Sequence, residues 1–187
     1  MRLFVAIKAP EPWVDAAREV QHSLPDLVRR RARLTDPANL HITLKFIGEV
    51  VETELPIIRH TLAEALPPVN VDLSLGGLGT FGAPARTSVV WLAVAGDLEA
   101  LNALARRAEA AVAEALGLPL DDRPYHPHLT IARVRQPLPP AERRQIADVV
   151  RTMSSPPPTS FTAYEAVLIH STLRPDGAHY ECLGRWG

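Results

Sequence analysis

His41-Ile42-Thr43-Leu44 and His128-Leu129-Thr130-Ile131 repeat one form, His-apolar-Thr-apolar, nearly half the chain apart. In an extended strand successive side chains point to opposite faces, so each imidazole shares a face with the hydroxyl two residues on, and the apolar pair faces the other way. A single tetrad of this kind arises by chance. Two of them, in corresponding strands of two similar halves, allow a pseudo-two-fold axis to bring both imidazoles and both hydroxyls to one cleft. Imidazole titrates near neutral pH and serves as general acid or general base, while threonine hydroxyls hydrogen-bond anionic oxygens. Opposed acid–base groups suit in-line displacement at phosphorus, where entering and leaving oxygens lie on opposite sides.

Other chemistries fit less well. Ser171 and Cys182 sit in no nucleophile motif and read as structural. His126-Pro127-His128 offers two imidazoles to one ion, but no cysteine cluster, His-Glu-x-x-His or carboxylate set completes a zinc site, so no metal and no cofactor are expected. The run Arg29, Arg30, Arg31 and Arg33 invites a phosphate backbone, yet a solvated helix end and a following strand explain it more readily, and it carries no assignment.

The elements that must position the motifs alternate along the chain. Leu3, Val5 and Ile7 mark an opening strand over 2–7, and Trp13, Ala17, Val20, Leu24 and Leu27 a helix that Pro25 kinks or divides. The first motif strand spans Leu40 to Gly48, followed by a helix from Thr53 to Leu66. Strands over 69–75 and 88–95 are joined by a Gly-rich turn at 76–82. A helix from Leu98 to Leu116, with Asp97 as N-cap and Gly117 at its end, precedes the second motif strand, His128 to Val134. A helix from Pro140 to Met153 and strands over 160–172, bent, and 179–184 follow, with a turn at Pro175-Asp176-Gly177 between the strands.

With 187 residues, 47% of them apolar and 22% charged, the chain supports one folded domain and excludes wholesale disorder. A formal charge of −1 is not the bulk basic signature of a duplex-binding protein, so any nucleic-acid contact is local. The single cysteine suits a reducing compartment, and no stretch nears the roughly 18 apolar residues of a membrane span. A cytoplasmic protein is expected, monomeric and without a membrane partner.

The two tetrads resemble the 2H phosphoesterases, and within them the RNA 2′,3′-cyclic phosphodiesterases of the bacterial and archaeal 2′-5′ RNA ligase family. The similarity runs through Arg2 to Ile7, Asn39 to Val50, Gly77 to Phe81, Arg123 to Arg133 and Tyr180 to Trp186. It implies an α+β, bilobal, pseudo-two-fold duplicated fold, with antiparallel sheets lining a central cleft, helices outside, and residues 1–187 forming one domain of two interleaved lobes. It also implies His41 as proton donor to the leaving oxygen, His128 as the acceptor that activates water, and Thr43 and Thr130 as phosphate holders. The expected reaction opens an RNA 2′,3′-cyclic phosphate to a 2′-phosphomonoester.

Arg133 matches an arginine of the family pattern, but on a regular strand it faces away from His128 and reaches the phosphate only if the strand twists, bulges or ends there. Phe46 and Phe81 would stack on a base or ribose or, more readily, pack in the core. Tyr125 stands where members often carry Phe and leaves substrate stacking open. Alternatives remain: 2′-5′ ligation by the same groups in exchanged roles, a cyclic phosphodiesterase acting on a small cyclic nucleotide, or an RNA-end-binding module without turnover.

Overall fold

The structure, a computed structural model, describes residues 1–175 and 177–187, so the turn expected at Pro175-Asp176-Gly177 has its central residue outside the described residues. In chain order the elements are β1 (Arg2–Lys8), α1 (Glu11–Ser23), α2 (Asp26–Arg31), β2 (Ala32–Leu34), β3 (His41–Glu49) and α3 (Leu55–Ala65). They continue as β4 (Val71–Phe81), β5 (Val89–Gly96), α4 (Leu98–Leu116), β6 (His128–Val134), α5 (Pro140–Thr152), β7 (Ser160–Ala163), β8 (Ala166–Arg174) and β9 (Gly177–Trp186). No helix among the described residues is long and apolar enough to cross a membrane.

Nine strands among the described residues form one sheet in the order β7-β4-β5-β6-β3-β1-β8-β9, with β2 also paired to β6, and every pairing is antiparallel. The order has an internal two-fold: β3-β1-β8-β9 on one side is matched by β6-β5-β4-β7 on the other. The motif strands meet at the seam through the pair Ile42 and Leu129, both fully buried. The α+β duplicated architecture is therefore present, with the two antiparallel halves joined edge to edge.

Helices cover the face carrying Leu3, Val5, Ile7, Ile42, Leu92, Leu129 and Ile131. Burying such branched side chains contributes roughly 1.5–3 kcal/mol each, which is why these positions alternate along their strands. Among the contacts that cross between the halves, two involve helices α1 and α4. Trp13 on α1 donates from Nε1 to Thr159 O at 2.8 Å and meets Phe161 of β7 edge-on, while Lys45 of β3 pairs with Glu109 on α4 at 2.8 Å. Pro25 divides the first helical segment into α1 and α2, as its missing N–H requires.

One stretch departs from expectation. Residues 76–81 are not a turn but the second half of β4, and the reversal comes later, at Gly82 (φ 95°) and the 3-10 turn Pro84–Arg86. Gly79 pairs with Trp91, whose indole lies where a Cβ on Gly79 would fall, 2.2 Å from the nearest ring atom. Glycine in this strand makes room for the indole and does not break the strand. The bent final strand is two strands, β7 and β8.

Candidate active site

A cleft of about 940 Å³ opens on the sheet face away from the helices and contains His41, Thr43, His128 and Arg133. The two imidazoles are held alike. His41 Nδ1 lies 2.7 Å from Asn39 O, and His128 Nδ1 lies 2.7 Å from His126 O, each the carbonyl two residues back. A carbonyl only accepts, so both rings carry their proton on Nδ1 and present a bare Nε2. In the first motif that Nε2 accepts from Thr43 Oγ1 at 3.1 Å.

Aromatic rings pack against both imidazoles. Phe4 stacks on His41 with centroids 4.7 Å apart and Tyr180 meets it edge-on at 5.5 Å; Phe81 meets His128 edge-on at 4.6 Å. Burial pulls His41 down to about 4, with the charges of Arg133 and His128 adding and the Asn39 carbonyl opposing. His128 is lowered too, first by burial and then by His126 and Arg133, against the pull of the His126 carbonyl. In the free protein both are neutral at pH 7.

Arg133 reaches the cleft because β6 bulges. Trp91 pairs with Thr130 and Val90 with Ala132, so Ile131 is passed over and the side-chain alternation resets. Ile131 and Ala132 are both buried in consequence, and Arg133 returns to the face of His128. β3 has the same irregularity at Leu44, between the pairs Ala6–Thr43 and Val5–Lys45. The fourth residue of each motif is thus the bulged one. Gln21, 5% exposed on α1, donates to Ile131 O and to Thr35 O and ties the bulge to the helix layer; it carries no sequence motif and was not legible as part of the site.

Residues 8–174 match the 2′-5′ RNA ligase superfamily. The chain belongs to that superfamily. The RNA 2′,3′-cyclic phosphodiesterase of Archaeoglobus fulgidus is 32% identical over 185 residues, 98% of this chain and 98% of its own. That of Methanothermobacter thermautotrophicus is 30% identical over 181 residues, 96% of this chain and 95% of its own. Among solved structures, E. coli LigT complexed with 3′-AMP has a TM-score of 0.78 at 25% identity, covering 99% of this chain and 96% of that one. TT0787 of Thermus thermophilus has a TM-score of 0.75 at 28% identity, covering 100% and 97%.

In this superfamily member several expected positions fall elsewhere. Phe46 is not core: past the Leu44 bulge it lines the cleft, 50% exposed, with the Arg2 guanidinium 5.1 Å from its ring centre. Phe81 packs on His128, His126 and Trp91 and does not line the cleft. Tyr125 packs, partly buried, against the helix-side core, donates to Thr43 O at 2.9 Å and so braces β3, and it is not among the cleft-lining residues. Burial raises its phenol above the ordinary value. Thr43 lines the cleft opposite small Ala6, whereas Thr130 lies opposite Trp91 and is not among the cleft-lining residues. The His126 ring turns edge-on to Phe81 and Trp91, and no group of three His, Cys, Asp or Glu among the described residues converges to hold a metal.

Proposed function

We propose that this chain hydrolyses RNA 2′,3′-cyclic phosphate ends to 2′-phosphomonoesters, without a metal ion, by acid–base catalysis between His41 and His128. The observation that carries the reading is the matched anchoring of the two imidazoles, which leaves one Nε2 from each half of the sheet to act on a single cleft. The names of the relatives support the substrate class. The reading includes one domain over residues 1–187, of two interleaved lobes that contribute one motif each, working as a cytoplasmic monomer.

In the hydrolytic direction His128 Nε2 takes a proton from water as the oxygen attacks phosphorus. The bond from phosphorus to the 3′ oxygen breaks, and His41 gives its proton to that oxygen. Thr43 and Arg133, which line the cleft, hold the phosphoryl oxygens as charge builds. His41 must therefore start protonated although it is neutral in the empty cleft. Raising it from about 4 to near 7 requires about 4 kcal/mol in favour of the charged ring. An anion some 4 Å away in a partly shielded site supplies about that much, so the bound phosphate charges its own acid.

Incubation with RNA ending in a 2′,3′-cyclic phosphate, in the presence of EDTA and with the product isomers resolved, tests the reading. A 2′-phosphate product supports it. A 3′-phosphate product overturns the regiochemistry, and activity that returns only with zinc or manganese overturns metal independence.

A further inference from the structure

The basic run Arg29–Arg33 is unused by this mechanism, and the fold takes it apart. Arg29 pairs with Asp26, and Arg31 pairs with Glu142 at 2.6 Å. Arg33 alone turns into the cleft. There it stands directly opposite Arg133 in the β2–β6 register, hence on the same face. Like charges in that position repel, and no carboxylate among the described residues pairs with either.

The same end of the cleft gathers Arg174 from β8, beside the β8–β9 hairpin against which Arg33 lies. A Cβ on Gly177 would come within 3.0 Å of Arg33 Nη2. The hairpin is fixed to the catalytic strand as well: Asn39 Nδ2 donates to Ala178 O at 2.7 Å, while Asn39 O holds His41. Asp36 is the one carboxylate lining the cleft among the described residues, and its Oδ1 already accepts from Ala38 N. In a chain of formal charge −1, this end of the cleft is a local concentration of guanidinium groups that no carboxylate among the described residues pairs with.

Arg133 is the arginine whose charge reaches both imidazoles, and so belongs with the reacting phosphate. Arg33, on the strand beyond it, and Arg174 stand ready for a second anion. A terminal cyclic phosphate has one phosphate neighbour along the RNA, the phosphodiester on its 5′ side. We propose that Arg33 and Arg174 form a subsite for that phosphodiester, so that the enzyme selects RNA of two or more nucleotides over a mononucleotide. The inference rests on the cyclic-phosphate reading above.

The test compares kcat/KM on a nucleoside 2′,3′-cyclic phosphate and on a dinucleotide ending in the same cyclic phosphate. The wild type prefers the dinucleotide by about tenfold or more, and Arg33→Gln combined with Arg174→Gln abolishes most of that preference. The logarithm of kcat/KM falls more steeply with log salt on the dinucleotide, by about 0.7 for the added phosphate, and this excess vanishes in the double variant. Equal wild-type activity on both substrates, or variants that lose both equally, overturns the subsite. Dissociation constants for the 2′-phosphorylated mono- and dinucleotide read the same ratio without turnover. Tighter Arg33-dependent binding of the dinucleotide by a chain that hydrolyses neither ester would keep the subsite and overturn the hydrolytic function.

Discussion

Gln21 Nε2 lies 2.9 Å from Ile131 O, linking a buried helix side chain to the residue at which β6 bulges. The same amide nitrogen donates to Thr35 O at 2.8 Å. Gln21→Leu removes both bonds, leaving Ile131 O only the one it accepts from Thr35 N at 2.9 Å, and costs roughly 1–3 kcal/mol, seen as a fall in Tm of about 2–4 °C for each kcal/mol. As a positioning residue Gln21 acts through Arg133. Arg133→Gln lowers kcat/KM on the cyclic phosphate roughly 10- to 200-fold, and the Gln21→Leu and Arg133→Gln losses combine to less than their product. Fully multiplicative losses would separate the bulge from catalysis.

Anion binding is accompanied by proton uptake. Both imidazoles are lowered by burial, His41 to about 4, so near pH 7 the free enzyme holds them neutral. An anion between them favours the charged form and raises the value. Sulfate, which does not titrate in this range, gives a binding enthalpy at pH 6–7 that varies with buffer ionisation enthalpy, corresponding to uptake of up to about one proton. His41→Gln removes most of the uptake. Buffer-independent enthalpies would mean that His41 is not charged by the anion.

The two histidines separate by leaving group. His41→Ala and His128→Ala each lose roughly 10²–10⁴-fold on the natural ester, whose rate is bell-shaped in pH. A leaving group that departs as a stable anion needs no proton, so it restores much of the rate to His41→Ala and little to His128→Ala. Equal rescue would show that acid and base are not divided in this way, and the opposite preference would reverse them.

Tyr125→Phe removes the hydroxyl that donates to Thr43 O and keeps the ring against the core. The expected loss is about 1 kcal/mol of stability by denaturant or thermal unfolding, with kcat/KM within a few-fold of wild type. A large loss of activity at unchanged stability would return Tyr125 to the substrate.

The motif strands and the long helix α4 were legible because each rests on a local period that a buried face enforces. What escaped depends on partners distant in sequence. Gly76 and Gly79 read as a turn until Ala93 and Trp91 across the sheet show why no side chain fits there. β2 has three residues and exists through its pairing with β6, about a hundred residues later. The faces of Phe46 and Arg133 follow from bulges at Leu44 and Ile131, which no alternation of residue types announces. Tyr125 carries a ring that fits a substrate or a core equally well, and only its hydroxyl partner decides between them.

β1 precedes the other described strands in the chain, yet its place in the sheet is between β3 and β8, and β8 begins at Ala166. β4, β5, β6 and β7 all lie within residues 71–163 and can pair while later residues are still being added. The other half waits for β8 and β9. Such long loop closures slow folding, because chain entropy is lost before the contact forms. A nascent chain therefore carries both histidine motifs well before Tyr180 arrives to complete the wall around His41. Until then that imidazole lacks its edge-on neighbour, so the site is assembled from the two ends of the chain and waits for the hairpin of β8 and β9.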